Sequence, residues 1–255
     1  MVKRFAFLFC TGILLAGCQT TPTVDPDPTI LRVGITPRSK PMVFKENGQI
    51  MGIEADFAQQ LGKALNRQVV FVEVPWEKQI DYLEANKTDI IMSNMSITGP
   101  RRIRINFSIP YLQSGQSALF RRGQHDPRGL TGSVILNQAK RVGFVKDTTG
   151  EFFCVQRFNR ATLSGFDNIN AGIDALIKNQ IDMFVHDAPV IWWRSAMHER
   201  ELVAFPEVLN VEPIAWGVGK HNMMLLDDVN ALISKWEKDG TAERIVQNWI
   251  PNFSR

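Results

Sequence analysis

The sequence predicts an α/β fold built as two lobes, and three observations carry that reading. Short β-branched runs alternate with helical patterns, the alternation runs once and then begins again, and a third, mainly helical segment trails behind. With 255 residues and 44% hydrophobic content the chain is long enough to bury a sizeable core.

The elements follow in order. ILRVGI, from Ile30 to Ile35, reads as a strand; EADFAQQLGKAL, from Glu54 to Leu65, carries the apolar spacing of an amphipathic helix. QVVFVEV (Gln68 to Val74) is the next strand, EKQIDYLEAN (Glu77 to Asn86) a helix and DIIMS (Asp89 to Ser93) a third strand. This βαβαβ order implies a mostly parallel sheet with helices on its faces. After SALFRRG the pattern restarts with RVGFV (Arg141 to Val145), a helix from Gly150, the run ATLSGF, a helix from Ile169 to Gln180 and DMFVH (Asp182 to His186). EPIAWGVG then reads as a strand, and LLDDVNALISKWEKDGTAERIVQNWI supplies two closing helices. Two units and a returning segment place residues 30–114 in the first lobe, 115–216 in the second and 217–255 back in the first. The crossings are expected near Gly115 to Leu119 and Val211 to Gly217.

The N-terminus is of another kind. Lys3 and Arg4 precede an apolar run from Phe5 to Leu15, and small residues precede Cys18, which is the pattern of an export signal over residues 1–17. The apolar run is shorter than the roughly 20 residues needed to span a bilayer as a helix. Leu15-Ala16-Gly17-Cys18 resembles the lipobox of bacterial lipoproteins, which implies that Cys18 carries a diacylglyceryl group and ties the protein to a membrane. Residues 18–29, with QTTPTVDPDPT from Gln19 to Thr29, have little to bury and read as an extended tether. Removing residues 1–17 takes Lys3 and Arg4 from 29 basic residues and none from 26 acidic ones, which lowers the formal charge from +3 to +1. No nucleic-acid partner is expected at that charge. Of three cysteines only Cys154 remains, too few for an intrachain disulfide, and Phe152, Phe153, Val155 and Phe158 mark it as a buried helix position.

No G-x-S-x-G, Walker A loop, paired-cysteine motif or H-E-x-x-H occurs, and four scattered histidines make no metal cluster, so neither an enzyme nor a cofactor is expected. GVG at Gly217 to Gly219 is too weak to count as a nucleotide fingerprint. Ligands of open α/β sheets collect at the carboxyl ends of the strands. Those ends are Thr36 to Ser39, Trp76, Ser93 to Arg101, Lys146 to Gly150 and His186 to Asp187. Arg101 offers a planar fork for a carboxylate, or belongs to a solvated basic rim, as Arg102 and Arg104 read. Thr148 and Thr149 open a helix and make an anion site or a plain N-cap. Asp187 offers a carboxylate to an ammonium, or caps the APVIWW helix. Arg101 and Asp187 on opposite walls of a cleft would read both ends of an α-amino acid.

At this point VGITPRSKPMVFKENGQIMGIEADFAQQLGKAL, DIIMSNMSITGPRRIRINFSIPY, VGFVKDTTGE, IDALIKNQIDMFVHDAP and DGTAERIVQNWI together resemble the bacterial family 3 solute-binding proteins, receptors of polar amino-acid importers. The likeness runs from about Leu31 to Pro251 and implies a type II periplasmic-binding-protein fold, two α/β lobes joined by two hinge crossings. It also implies that Arg101, helped by Thr149, binds the ligand carboxylate and that Asp187 takes the ammonium. Asn94 and Ser96 would add hydrogen bonds, Trp76 would line the side-chain pocket, and His186 is similar to the histidine of a His-Asp pair in glutamine-binding proteins. Departures from the pattern are Pro100, Thr36 and Ser39 with Arg38 nearby, Met42, and Asp147 where glycine is usual, and they disfavour a cationic ligand. The implied protein is a lipid-anchored, monomeric receptor serving an ABC permease. Two alternatives stand beside it. A sensory lipoprotein fits Gln19, which directs sorting to an outer membrane where the host has one, although no fused output domain is expected after Arg255. A cyclohexadienyl dehydratase shares the FSIPYL stretch, but its catalytic glutamate aligns with Val190.

Overall fold

The computed structural model describes residues 27–123, 127–138 and 140–250. The expected export signal and Cys18 lie outside the described residues. Strand β1 (Ile30–Ile35) buries Leu31, Val33, Gly34 and Ile35 because it lies between two other strands with both faces covered. Three short strands that show no periodicity follow: β2 (Arg38–Ser39), β3 (Val43–Glu46) and β4 (Gln49–Met51). Asn47 and Gly48, both with positive φ, make the two-residue turn between β3 and β4. Helix α1 (Ile53–Leu65) turns Ile53, Phe57, Ala58 and Leu61 to the core and ends where Asn66 takes a left-handed conformation.

After β5 (Gln68–Glu73), a single turn at Trp76–Lys78 leads into α2 (Gln79–Glu84). The strand expected from Asp89 to Ser93 narrows to β6 (Ile90–Ile91). Asn94 has φ 56°, and Met95 to Ile97 leave the sheet to hydrogen-bond with Pro213 to Ala215 instead. Next come α3 (Gly99–Arg104), β7 (Asn106–Phe107), β8 (Leu112–Ser114) and β9 (Gln116–Arg121). The second round contains α4 (Gly132–Gln138), β10 (Arg141–Val145), α5 (Thr149–Arg157), β11 (Thr162–Phe166), α6 (Ile169–Ile177), β12 (Met183–Asp187), α7 (Ala188–Met197) and β13 (Leu202–Ala204). EPIAWGVG divides into β14 (Glu212–Ile214) and β15 (Gly217–Val218), because fully buried Trp216 turns the chain from one sheet into another. Helices α8 (Met223–Lys238) and α9 (Thr241–Gln247) close the first lobe.

Two five-stranded sheets result, ordered β5-β1-β6-β15-β7 and β11-β10-β12-β9-β13. In each the first three strands are parallel and the last two are antiparallel to their neighbours, so the sheets are more mixed than the sequence implies. β8 and β14 pair antiparallel to form the two crossings between the lobes. Gly115 to Leu119, where the first crossing was expected, belongs instead to the start of the second sheet. Gly115 is fitted there against the second crossing, since an added Cβ would stand 1.9 Å from the Asn210 carbonyl oxygen.

The lobes repeat one device away from the cleft. Arg32 reaches Asp89 through Nη2 at 2.6 Å and the Asn86 carbonyl through Nη1; Arg141 reaches Asp182 at 2.6 Å and the Asn179 carbonyl in the same way. Each arginine thus clasps two adjacent parallel strands of its sheet together, β1 to the start of β6 and β10 to the start of β12. Cys154 is buried on α5 among Phe153 and Phe158, as its neighbours imply. Arg102 and Arg104 are exposed, and Arg104 pairs with Asp81 and Glu84.

Candidate ligand-binding site

The carboxyl ends of the central strands face one another across a cleft of about 550 Å³. Trp76, Asn94, Ser96 and Arg101 line it from the first lobe, and Thr148, Thr149, His186 and Asp187 from the second. The eight residues singled out in the sequence are brought together here.

Arg101 sits in the short helix α3 rather than at a strand end, with its N–H aimed at the capping hydroxyl of Thr98. Its Nη1 donates to the Ser96 carbonyl at 2.9 Å, and its guanidinium carbon lies 5.1 Å from the centre of a Trp76 ring. Burial pulls the guanidinium below its ordinary pKa, against the attraction of Asp187 and Glu212, and no carboxylate lies in ion-pair contact with it among the described residues. Trp76 is held by its own ring N–H, which donates to the Asp147 carbonyl at 2.8 Å. Asp147 has φ 59°, the left-handed region that glycine enters most easily, which accounts for the usual glycine at this place.

On the facing wall Thr148 is the cap of α5: its hydroxyl accepts from Glu151 N and donates to the Val145 carbonyl. The Thr149 hydroxyl instead lies 3.3 Å from Gln116 Nε2 and 3.4 Å from Ser96 Oγ. Asp187 holds the cap position of α7, but its side chain makes no capping bond. It accepts from Gln116 Nε2 at 2.8 Å and from Asn94 Nδ2 at 2.7 Å. His186 Nδ1 accepts the Asp187 backbone N–H, and burial pushes the imidazole below its ordinary pKa, so the ring is neutral and its 3.6 Å approach to the Asp187 carboxylate is no ion pair. Burial, seconded by the nearby Glu212 carboxylate, raises the Asp187 carboxyl, while the Gln116 hydrogen bond and the Arg101 charge oppose that rise.

Three residues that sequence reasoning missed tie the site together. Gln116 is fully buried at the start of β9, and its Nε2 approaches Asp187, Glu212 and Thr149. Glu212, on the second crossing, accepts from Ser96 Oγ at 2.6 Å and from Asn210 Nδ2 at 2.9 Å. Neither carries a signal in the sequence. Glu54 lies under the floor of the first lobe, where its carboxylate accepts from Asn94 N, Tyr111 Oη and Trp216 Nε1. Burial pushes that carboxyl up to about 7 against the pull of the three hydrogen bonds. Glu54 did have a signal: it shares a helix face with Phe57, Ala58 and Leu61, a charge on an apolar stripe.

Residues 31–252 match the bacterial extracellular solute-binding proteins, family 3. The chain belongs to that family. The probable histidine-binding protein of Campylobacter jejuni is 25% identical over 97% of this chain and 99% of its own length. The L-cystine-binding protein TcyJ of Escherichia coli is 25% identical over 86% of this chain and 82% of its own. A solved binding component of an ABC transporter from Wolinella succinogenes, complexed with lysine, is 26% identical with a TM-score of 0.83, covering 88% of this chain and 97% of that one. An ancestral amino-acid-binding protein described as a precursor of cyclohexadienyl dehydratase is 30% identical with a TM-score of 0.77, over 87% and 95% of the two chains. The fold of this family 3 protein is accordingly the type II periplasmic-binding-protein fold. Val190, where the sequence reading expects the dehydratase glutamate to align, is fully buried in the hydrophobic core at the start of α7 and does not line the cleft. Among the described residues no helix is long and apolar enough to cross a membrane, and no group of His, Cys, Asp or Glu is arranged to hold a metal ion.

Proposed function

We propose that this family 3 protein is an importer receptor that closes its lobes on a zwitterionic α-amino acid and delivers it to an ABC permease. One observation carries the reading. Arg101 and Asp187 are partly desolvated charges of opposite sign on facing walls, and neither has a charged partner in ion-pair contact among the described residues. Desolvating a charge without a counter-charge is unfavourable, and a ligand that carries one carboxylate and one ammonium completes both. The carboxylate takes the Arg101 fork and the Thr149 hydroxyl, the ammonium takes Asp187, Asn94 and Ser96 complete the polar cradle, and the side chain lies against Trp76. Thr148 holds the end of α5 in place, and His186 serves as a neutral support for the Asp187 backbone. The names of the relatives, histidine-binding and cystine-binding, favour an amino acid over other zwitterions and a receptor over an enzyme. Micromolar affinity corresponds to about 8 kcal/mol, within reach of two charge-assisted contacts and one aromatic stack.

The bonds Trp76–Asp147 and Asn94–Asp187 join the two lobes and are available only while they are together, so they reward closure. In this reading residues 30–114 and 217–255 form one lobe, 115–216 the other, and the receptor acts as a monomer. In the same reading Cys18 carries the lipid anchor, which the mass of the mature N-terminal peptide would test; separation of inner and outer membranes would tell an importer receptor from a sensor. The decisive test is a thermal-shift screen against the common amino acids with Arg101→Ala as control. At a hundredfold excess over Kd a ligand adds about 2.7 kcal/mol, roughly 5 to 10 °C for a domain of this size. A shift that vanishes in Arg101→Ala supports the reading, and no shift with any amino acid sinks it.

A further inference from the structure

A second cavity, of about 640 Å³, opens beside the first and shares Arg38, Asn168 and Ile169 with it. The two are halves of one elongated cleft. Their linings differ in sign: the first mixes Arg38, Arg101 and Lys146 with Glu77, Asp147, Asp167 and Asp187, whereas four cations and no carboxylate line the second. Two of the four are spoken for, because Lys40 pairs with Glu46 at 2.7 Å and Lys45 pairs with Glu73. The other two are not. The Arg38 side chain makes neither hydrogen bond nor ion pair among the described residues, although it stands at the junction of the two halves. Arg194 gives one bond, from Nη2 to Asn170 Oδ1 at 2.9 Å, while its buried Nε donates to nothing. Lys40 lies over the Phe44 ring at 4.4 Å and a Trp193 ring at 5.3 Å, so the wall between these arginines is aromatic and is built from both lobes. The amino end of α6, at Asn168 to Asn170, adds its partial positive charge to the same junction.

We propose that this groove is the second half of the ligand site and takes a distal carboxylate, carried on an extended side chain or on a second residue joined to the first, with Arg38 and Arg194 as the residues that select it. The inference rests on the receptor reading, since Arg101 and Asp187 hold the amino-acid head in the first cavity while the far end reaches the second. A guanidinium that is short of acceptors gains most from a carboxylate, which its planar fork can take through two bonds. An ammonium at the far end would meet the like charges of Arg38 and Arg194, and a neutral amide would supply only one acceptor oxygen.

The test is isothermal titration of the full chain in mild detergent with L-2-aminoadipate and γ-L-glutamylglycine, set against L-glutamine and L-lysine as neutral-ended and cation-ended counterparts. The acid-ended probes should bind about tenfold or more tightly than either counterpart, the worth of one charge-assisted hydrogen bond. Arg38→Gln and Arg194→Gln should each lower the ratio of acid-ended to L-glutamine affinity by most of that tenfold. L-glutamine or L-lysine binding as well as the acid-ended probes would overturn the inference and leave the receptor reading intact. So would variants that weaken acid-ended and neutral probes alike. Absence of saturable binding by any of the four probes and by the common amino acids would overturn both readings together.

Discussion

Replacing Glu54 by glutamine sets two opposing effects at the floor of the site against each other. Burial raises the folded-state pKa of this carboxyl from its ordinary 4.5 to about 7, so the native state binds that proton more tightly than the unfolded chain does. The stability this contributes is fully present below about pH 4.5 and is lost as the pH rises through about 7, an effect of about 3 kcal/mol across the window. Glutamine does not titrate, so the stability gap between wild type and Glu54→Gln should narrow by about 3 kcal/mol from pH 4.5 to pH 8, equivalent to roughly 6 to 12 °C in Tm. Superimposed on this is a constant loss of about 1 to 3 kcal/mol. The amide NH2 must face either the Trp216 ring N–H or the Asn94 N–H together with the Tyr111 hydroxyl, and neither N–H group can become an acceptor. Circular-dichroism melts of both proteins without ligand, at half-unit steps of pH, read the gap directly, and other titrating groups cancel in the difference. A gap that stays constant with pH would refute the reasoning: the three donated hydrogen bonds would then offset desolvation in full, and Glu54 would be an ordinary ionised carboxylate.

Other outcomes follow from the same geometry. Because burial raises the Asp187 carboxyl, amino-acid affinity should fall as the pH drops through that raised pKa, and Asp187→Asn should bind more weakly with no such fall; titration calorimetry between pH 4 and 8 checks both. Gly172→Ala would set a Cβ 2.1 Å from the Phe184 ring, and this overpacking should lower stability by about 1 to 3 kcal/mol in a urea titration. Burial pushes the Cys154 thiol up to about 12, so it should resist a disulfide reagent such as DTNB in the folded protein and react once the chain is unfolded, as mapped by peptide mass.

The legible parts of the sequence were those with a long period or a distinct charge. β1 and β10 have the bounds their β-branched runs imply, and α1 begins one residue early. The β2 to β4 meander escaped because strands of two to four residues are too short for alternation to show, although Asn47-Gly48 between apolar residues was a usable turn signal. DIIMS and EPIAWGVG were read as longer strands than they are, since hydrophobicity does not reveal that Asn94 goes left-handed or that Trp216 turns into the core. At the cleft, Arg101, Thr149 and Asp187 stood out because their side-chain chemistry suits a zwitterion. Gln116 and Glu212 did not, because their importance comes from meeting each other across 96 residues of chain, a fact of topology with no local trace.

Strand β15 has a consequence for the order in which the molecule is made. It lies between β6 and β7 in the first sheet, yet its residues, Gly217–Val218, are synthesised more than a hundred positions after them. The strands of the second sheet come from one continuous stretch, Gln116 to Ala204, and that sheet is complete as soon as the stretch is available. In a growing chain every strand of the lobe of Asp187 and Thr149 is therefore available before the strand that joins β6 to β7 in the lobe of Arg101 and Trp76. Joining β15 to β6 and β7 is a long-range pairing of two residues, and a chain ending between Ala204 and Gly217 would hold every strand of the second sheet while the first sheet lacked β15.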